Sequence, residues 1–115
     1  MNINELQQKL EQAPETIEFA EVIALVDSLY DFTPTAFTNG DQENPAGQNN
    51  GSCKLFAFAR LQGFSEEETL ACFGAFYRDD VLGNPEGRDH QNIRNFIKTG
   101  WLGIEFAAQP LAPKA

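Results

Sequence analysis

The sequence predicts a mainly α, compact single domain of five to six short helices, with one long ordered polar loop and at most a minor extended segment. Three observations carry that expectation. Apolar residues recur at helical spacing in several windows, most clearly over 19–30. Helix start and stop signals stand at the edges of those windows, with Ser65, Asp89, Gly63 and Gly100 as the plainest. The chain has 115 residues and 42% apolar content with ten Phe, enough for one core and too short for two.

Taken in order, Ile3, Leu6 and Leu10 give a short amphipathic helix over 3–11. Pro14 suits the first turn of a second helix, whose apolar face is Phe19, Val22, Ile23, Val26, Leu29 and Tyr30. Pro34 restricts Thr33 to extended backbone, so 32–37 reads as a short extended arm pinned by Phe32 and Phe37, with a turn at Asn39-Gly40. Residues 39–54 are then polar and turn-rich, and they feed directly into the apolar run 55–61. The spacing predicts a buried helix over 54–61, capped by Ser52 and ended by Gly63, while Phe56 and Phe58 also alternate as in a strand. The Asn and Gln amides of the loop are expected to satisfy backbone groups around that helix.

Ser65 and Glu68 form a capping box opening a helix with Leu70, Phe73, Phe76, Tyr77 and Val81 on its apolar side. A turn at 84–87 leads to Asp89 as the cap of a helix over 90–99 that buries Ile93, Phe96 and Ile97. Trp101, Leu102, Ile104 and Phe106 form a closing apolar segment. The domain is expected to span 1–108, with a flexible tail over 109–115.

The net charge of −9 argues against a nucleic-acid binder, which needs a basic face to neutralise phosphates. The charge is also uneven, since residues 1–53 carry nine acidic side chains against Lys9 alone. Steering by that field favours basic partners. Two cysteines, Cys53 and Cys72, make no disulfide framework and no four-ligand zinc site. No leader-like start and no membrane-length apolar run is present, which reads as a protein made in the cytoplasm. No cofactor-binding word is legible.

At residues 39–54, 69–74, 77–82, 89–96 and 100–104, the last reading Gly-Trp-Leu-Gly-Ile, the sequence resembles the HopJ family, over about 19–106. The resemblance implies a small bacterial protein annotated in its family as a type III effector, with secretion and a protein partner in a host cell as the consequences. It implies no established biochemical activity and assigns no residue a role.

Four constellations carry chemistry. Cys53 near a helix start, with His90 as general base and Asn92, Asp89 or Asp79 as orienting group, fits a thiol site; a small buried cysteine and a capping histidine are the commoner use of the same residues. Residues 47–52, including Asn49, Gly51 and Ser52, present backbone donors at a positive helix end that can hold an anion, although the spacing is not that of a P-loop. His90 with Asp79, Asp80 or Asp89 offers mixed metal ligands, but a lone histidine without paired cysteines predicts no metal. Arg78 and Arg94 can grip carboxylates, either locking two helices together or lining a pocket for an anionic ligand, and the lock is the commoner use. The leading reading is therefore a non-enzymatic interaction module in which the polar loop and the Arg-His cluster form a recognition surface. A cysteine-dependent hydrolase or transferase using Cys53 and His90, and a small anion-binding protein, are the rivals.

Overall fold

In the computed structural model, which describes residues 1–114, the apolar run after the polar stretch forms helix α3 (Asn50–Gln62) at the centre of the core. Cys53, Leu55, Phe56, Ala57, Phe58 and Ala59 are all buried. The Phe56 ring meets Phe37, Phe73, Phe96 and Trp101 at centroid separations of 6.2, 5.4, 5.0 and 6.3 Å. A segment enclosed on all sides is most simply a helix, because a helix satisfies its own backbone groups. The expected cap is corrected: the helix begins before Ser52, and its N-cap is Asn49, in the left-handed region at φ 55° and ψ 43° with no side-chain cap bond.

Helix α1 (Ile3–Gln12) is capped by Asn2, whose Oδ1 accepts from Glu5 N at 2.8 Å, and it buries Leu6. Pro14 heads a separate 3-10 turn (Pro14–Thr16), after which Ile17 is extended and buried, so the second helix starts later than expected. Helix α2 (Phe19–Leu29) opens on a capping box between Glu18 and Glu21 and buries Val22, Leu25 and Val26 against α3.

The polar stretch opens as a hairpin and ends inside α3, so the helices are joined by small sheets and the architecture is mixed α/β rather than purely helical. Strands β2 (Phe37–Asn39) and β3 (Gln42–Asn44) form a hairpin through Gly40, whose φ of +59° suits the tight turn. Strand β4 (Ile104–Phe106) pairs with the other side of β2, giving the order β3-β2-β4. Phe37 and Asn39 face inward while Thr38 lies between them half-buried, the two-residue period of a strand. A second antiparallel pair joins β1 (Tyr30–Phe32) to β5 (Leu111–Pro113). The tail expected to be mobile is therefore a strand, held by the fully packed Leu111 and by Lys114 N donating to Leu29 O. Ala115, the last residue of that expected tail, lies outside the described residues.

Helix α4 (Glu66–Ala71) has the expected Ser65–Glu68 box but stops early. Gly74 adopts φ +63°, and a Cβ there would lie 2.9 Å from Phe19 N and 3.0 Å from Ile17 O. Close approach to the backbone before α2 thus breaks what sequence spacing reads as one helix. The chain resumes as a π-helical turn (Phe76–Val81), marked by Leu82 N donating to Tyr77 O at 3.0 Å. Helix α5 (Gln91–Thr99) follows, with His90 rather than Asp89 at its N-cap; Ile93 and Phe96 are buried, while Ile97, expected in the core, is exposed. A 3-10 turn (Gly100–Gly103) carries Trp101, whose Nε1 donates to Phe64 O.

Candidate functional site

The N-termini of α3 and α5 open on the same cleft, and the sequence dictates both ends. Asn49 and His90 are the two non-glycine residues with positive φ among the described residues. An N-cap in that conformation turns its side chain away from the helix it starts, and neither residue caps its own helix. In α3 the first rung is Cys53 N to Asn49 O, so the N–H groups of Asn50, Gly51 and Ser52 precede the ladder. In α5 the first rung is Ile93 N to His90 O, which leaves Gln91 and Asn92 in the same position.

The cleft has a volume of about 340 Å³. One wall is aromatic: Phe19 stacks on Phe73 at 5.8 Å and meets Phe76 edge-on at 5.4 Å, and the His90 ring lies 5.0 Å from Phe76. The other wall is polar, with Gln42, Asn49, Ser52, Gln91 and Asn92. None of the chain's 17 acidic side chains lines it. Gly51 lies under the aromatic wall, where a Cβ would come to 3.0 Å from Phe19 Cζ and push that ring aside. A larger apolar groove of about 410 Å³ lies on the three-stranded sheet beside Phe37, Pro45 and Phe106, and it holds none of the site residues expected from sequence.

Behind the cleft an amide cluster fixes its geometry. Asn92 Oδ1 accepts from Asn39 Nδ2 and Asn44 Nδ2, both at 3.1 Å, and Asn92 Nδ2 donates to Asn44 Oδ1 at 2.9 Å. Asn49 Nδ2 donates to the same Asn44 Oδ1 at 2.8 Å, so its side chain ties α3 to the hairpin instead of capping. Asn39 also donates to the Asn92 carbonyl at 2.7 Å. The buried amides of Asn39, Asn44 and Asn92, joined by the exposed Asn49, lock β2, β3, α3 and α5 together, since a buried amide left without its partner costs about 1–3 kcal/mol; Asn39 Oδ1 is the one buried side-chain atom of the cluster that no described residue satisfies. The roles of Asn39 and Asn44 escaped sequence reading; the alternation Phe37-Thr38-Asn39, with an amide on the buried side, was the available signal.

At the rim, His90 Nε2 lies 3.0 Å from Asp80 Oδ2 and 3.9 Å from Asp89 Oδ2. The π turn presents both Phe76 and Asp80 to this imidazole, and the next contact holds Asp89: Arg94 Nη2 donates to its Oδ1 at 2.6 Å. That hydrogen bond, more than desolvation opposing it, holds the Asp89 carboxyl below the usual range.

Of the residues expected from sequence, Asn49, Gly51, Ser52, His90 and Asn92 converge on the cleft. Cys53 does not line it. Its Sγ is buried and donates to Thr35 O at 3.7 Å, and burial pushes the thiol up to about 11, opposite to what a nucleophile needs. The helix end that was expected to activate it is offset: Cys53 itself makes the first rung and points inward. Arg78 donates to Ile17 O at 2.9 Å and lies 3.9 Å from Glu18, tying the π turn to the segment before α2. Arg94 spends all five guanidinium hydrogens on Asp89 O, Asn84 O, Pro85 O, Asp80 O and Asp89 Oδ1, so it has no donor left for a ligand. Both arginines therefore act as locks.

A family profile described as HopJ type III effector protein matches residues 3–111. Among solved structures, the chain is similar to the crystal structure of the unknown function protein VPA0580, with 54% sequence identity and a TM-score of 0.95 over 99% of this chain and 95% of that chain. No curated protein matches.

Proposed function

We propose, from the premise that the chain belongs to the HopJ type III effector family, that it is a non-enzymatic interaction protein whose cleft receives an anionic group, a carboxylate or phosphate, carried by a protein partner. The observation that carries this reading is the convergence of two helix N-termini, neither capped by its own N-cap side chain, on a cleft without an acidic lining residue. Each end presents backbone donors and a partial positive charge, and two ends facing one volume add. The amide side chains supply further donors, and the aromatic wall covers the apolar part of whatever carries the charge. Made in the bacterial cytoplasm and exported by a type III route, such a protein meets its partner in a host cell. The buried, basic thiol of Cys53 supports binding over covalent chemistry.

The test uses inorganic phosphate as the probe, titrated into 15N-labelled protein. Amide shifts at Gly51, Ser52, Gln91 and Asn92 are expected, with at least a tenfold weakening in Ser52→Glu, which puts a carboxylate into the cleft at a helix position that tolerates it. Unmoved amides at both helix ends overturn the reading.

A further inference from the structure

We propose that the apolar groove of the three-stranded sheet docks a segment of a partner protein in which an arginine or lysine is flanked by apolar side chains, the cation lying between Glu43 and Glu105. The groove, about 410 Å³ in volume, has Pro45, Phe106 and Ala107 in its apolar lining, and its two charged lining residues are these glutamates. Strand register sets where they stand. Thr38 of the central strand β2 faces Glu43 of β3 on one side and Glu105 of β4 on the other, so the three side chains share one face, opposite the buried Phe37 and Asn39. Neighbouring strands lie about 4.8 Å apart, which puts the two glutamate backbones about 10 Å from each other with a threonine between them. That spacing admits one guanidinium or ammonium over Thr38 with a carboxylate on either side.

Among the described residues none supplies that cation. Glu43 and Glu105 are exposed, and neither is in an ion pair with any described residue. No lysine or arginine lines the groove; Arg60, which lies over the Phe106 ring at 5.5 Å, donates to the Trp101 and Ile104 carbonyls instead. The apolar lining is open as well, with Phe106 half-buried and Pro45 and Ala107 exposed. Charge selects among the occupants. A second copy brings the same two carboxylates and a net charge of −9 against those of the first, so self-association through this face is repelled. An isolated cation pairs with the glutamates but leaves the apolar lining wet. A segment both basic and apolar satisfies the two halves together, by ion pairing over Thr38 and by burial against Pro45 and Phe106. The groove shares no lining residue with the cleft, so this surface stands apart from any anion bound there.

The experiment titrates 15N-labelled full-length protein with acetylated, amidated pentapeptides that carry Arg or Lys at the centre and Leu or Phe on either side. Saturable shifts are expected at the Thr38, Glu105, Phe106 and Ala107 amides. The double variant Glu43→Gln with Glu105→Gln, at exposed positions that leave the fold intact, binds about tenfold more weakly, whereas Glu86→Gln binds like the parent. Added salt weakens binding to the parent and leaves that to the double variant nearly unchanged. Unmoved groove amides with every peptide overturn the proposal, as does equal binding by the double variant. Arginine amide that binds as tightly as the peptides shows a cation subsite only and overturns docking of a segment. Groove shifts that grow with protein concentration in the absence of peptide assign the face to a second copy and overturn it too.

Discussion

At Cys53, position along a helix and position in the fold have opposite consequences. The first turn of a helix lowers a thiol pKa, but enclosure among apolar groups raises it, and here enclosure wins because the side chain points into the core and the helix's free donors point into the cleft. Cys72 behaves likewise, pushed up to about 12 by burial and then by Glu68. Both folded-state values lie above the ordinary 9.0, so the unfolded chain releases these protons first as pH rises. The stability they contribute is full below about 9 and is lost as pH climbs through the folded values of about 11 and 12. Urea denaturation from pH 8 to 11 should show a shallower decline for Cys53→Ala than for the parent protein, and native Cys53 should resist iodoacetamide until unfolding. Fast alkylation of the folded protein would show the thiol to be accessible and the enclosure argument wrong.

Elements are cut where two segments of backbone come too close for a side chain. The capping box at Ser65 and the apolar side of 70–81 were legible, but the break at Gly74 was not, because its cause lies at Ile17 and Phe19, far away in sequence. Gly74→Ala adds a Cβ against that backbone and also forces a strained φ, and should cost about 1–3 kcal/mol in the urea unfolding free energy. Gly63→Ala, at a φ of +71° and with nothing within 4 Å of its Cβ, isolates the backbone term and should cost less. Equal losses would mean that the contact with 17–19 contributes nothing. Similar reasoning explains the missed caps: Ser52 and Asp89 are good cap residues by type, yet Asn49 and His90 start the helices because Asn49 is bonded into the amide cluster and Asp89 is taken by Arg94.

Across the whole molecule, the least legible feature is that the C-terminal strands complete both sheets. Thr38 of β2 stands opposite Glu43 of β3 and Glu105 of β4, and β1 is paired with β5, about 80 residues further along the chain. Removing residues 111–115 should therefore destabilise the protein by about 1.5–3 kcal/mol, the worth of burying one leucine, Leu111. Hydrogen exchange should lose protection at Tyr30–Phe32 in the same variant. A truncated protein as stable as the full chain would instead mean that the tail contributes no packing.

The sequence by itself determined which segments are helical cores, that α3 is enclosed, where the main turns fall and that the polar stretch before α3 matters, because periodicity, caps and turn residues act over a few positions. Its family resemblance was carried by words in the same stretches. Only the tertiary structure decided that this stretch is a hairpin, that Asn39 and Asn44 are buried partners of Asn92, that Cys53 faces inward, and that His90 meets Asp80 at a cleft shared by two helix ends. Those outcomes depend on pairings between residues as far apart as 39 and 92, and pairing at that distance leaves no periodic trace along the chain.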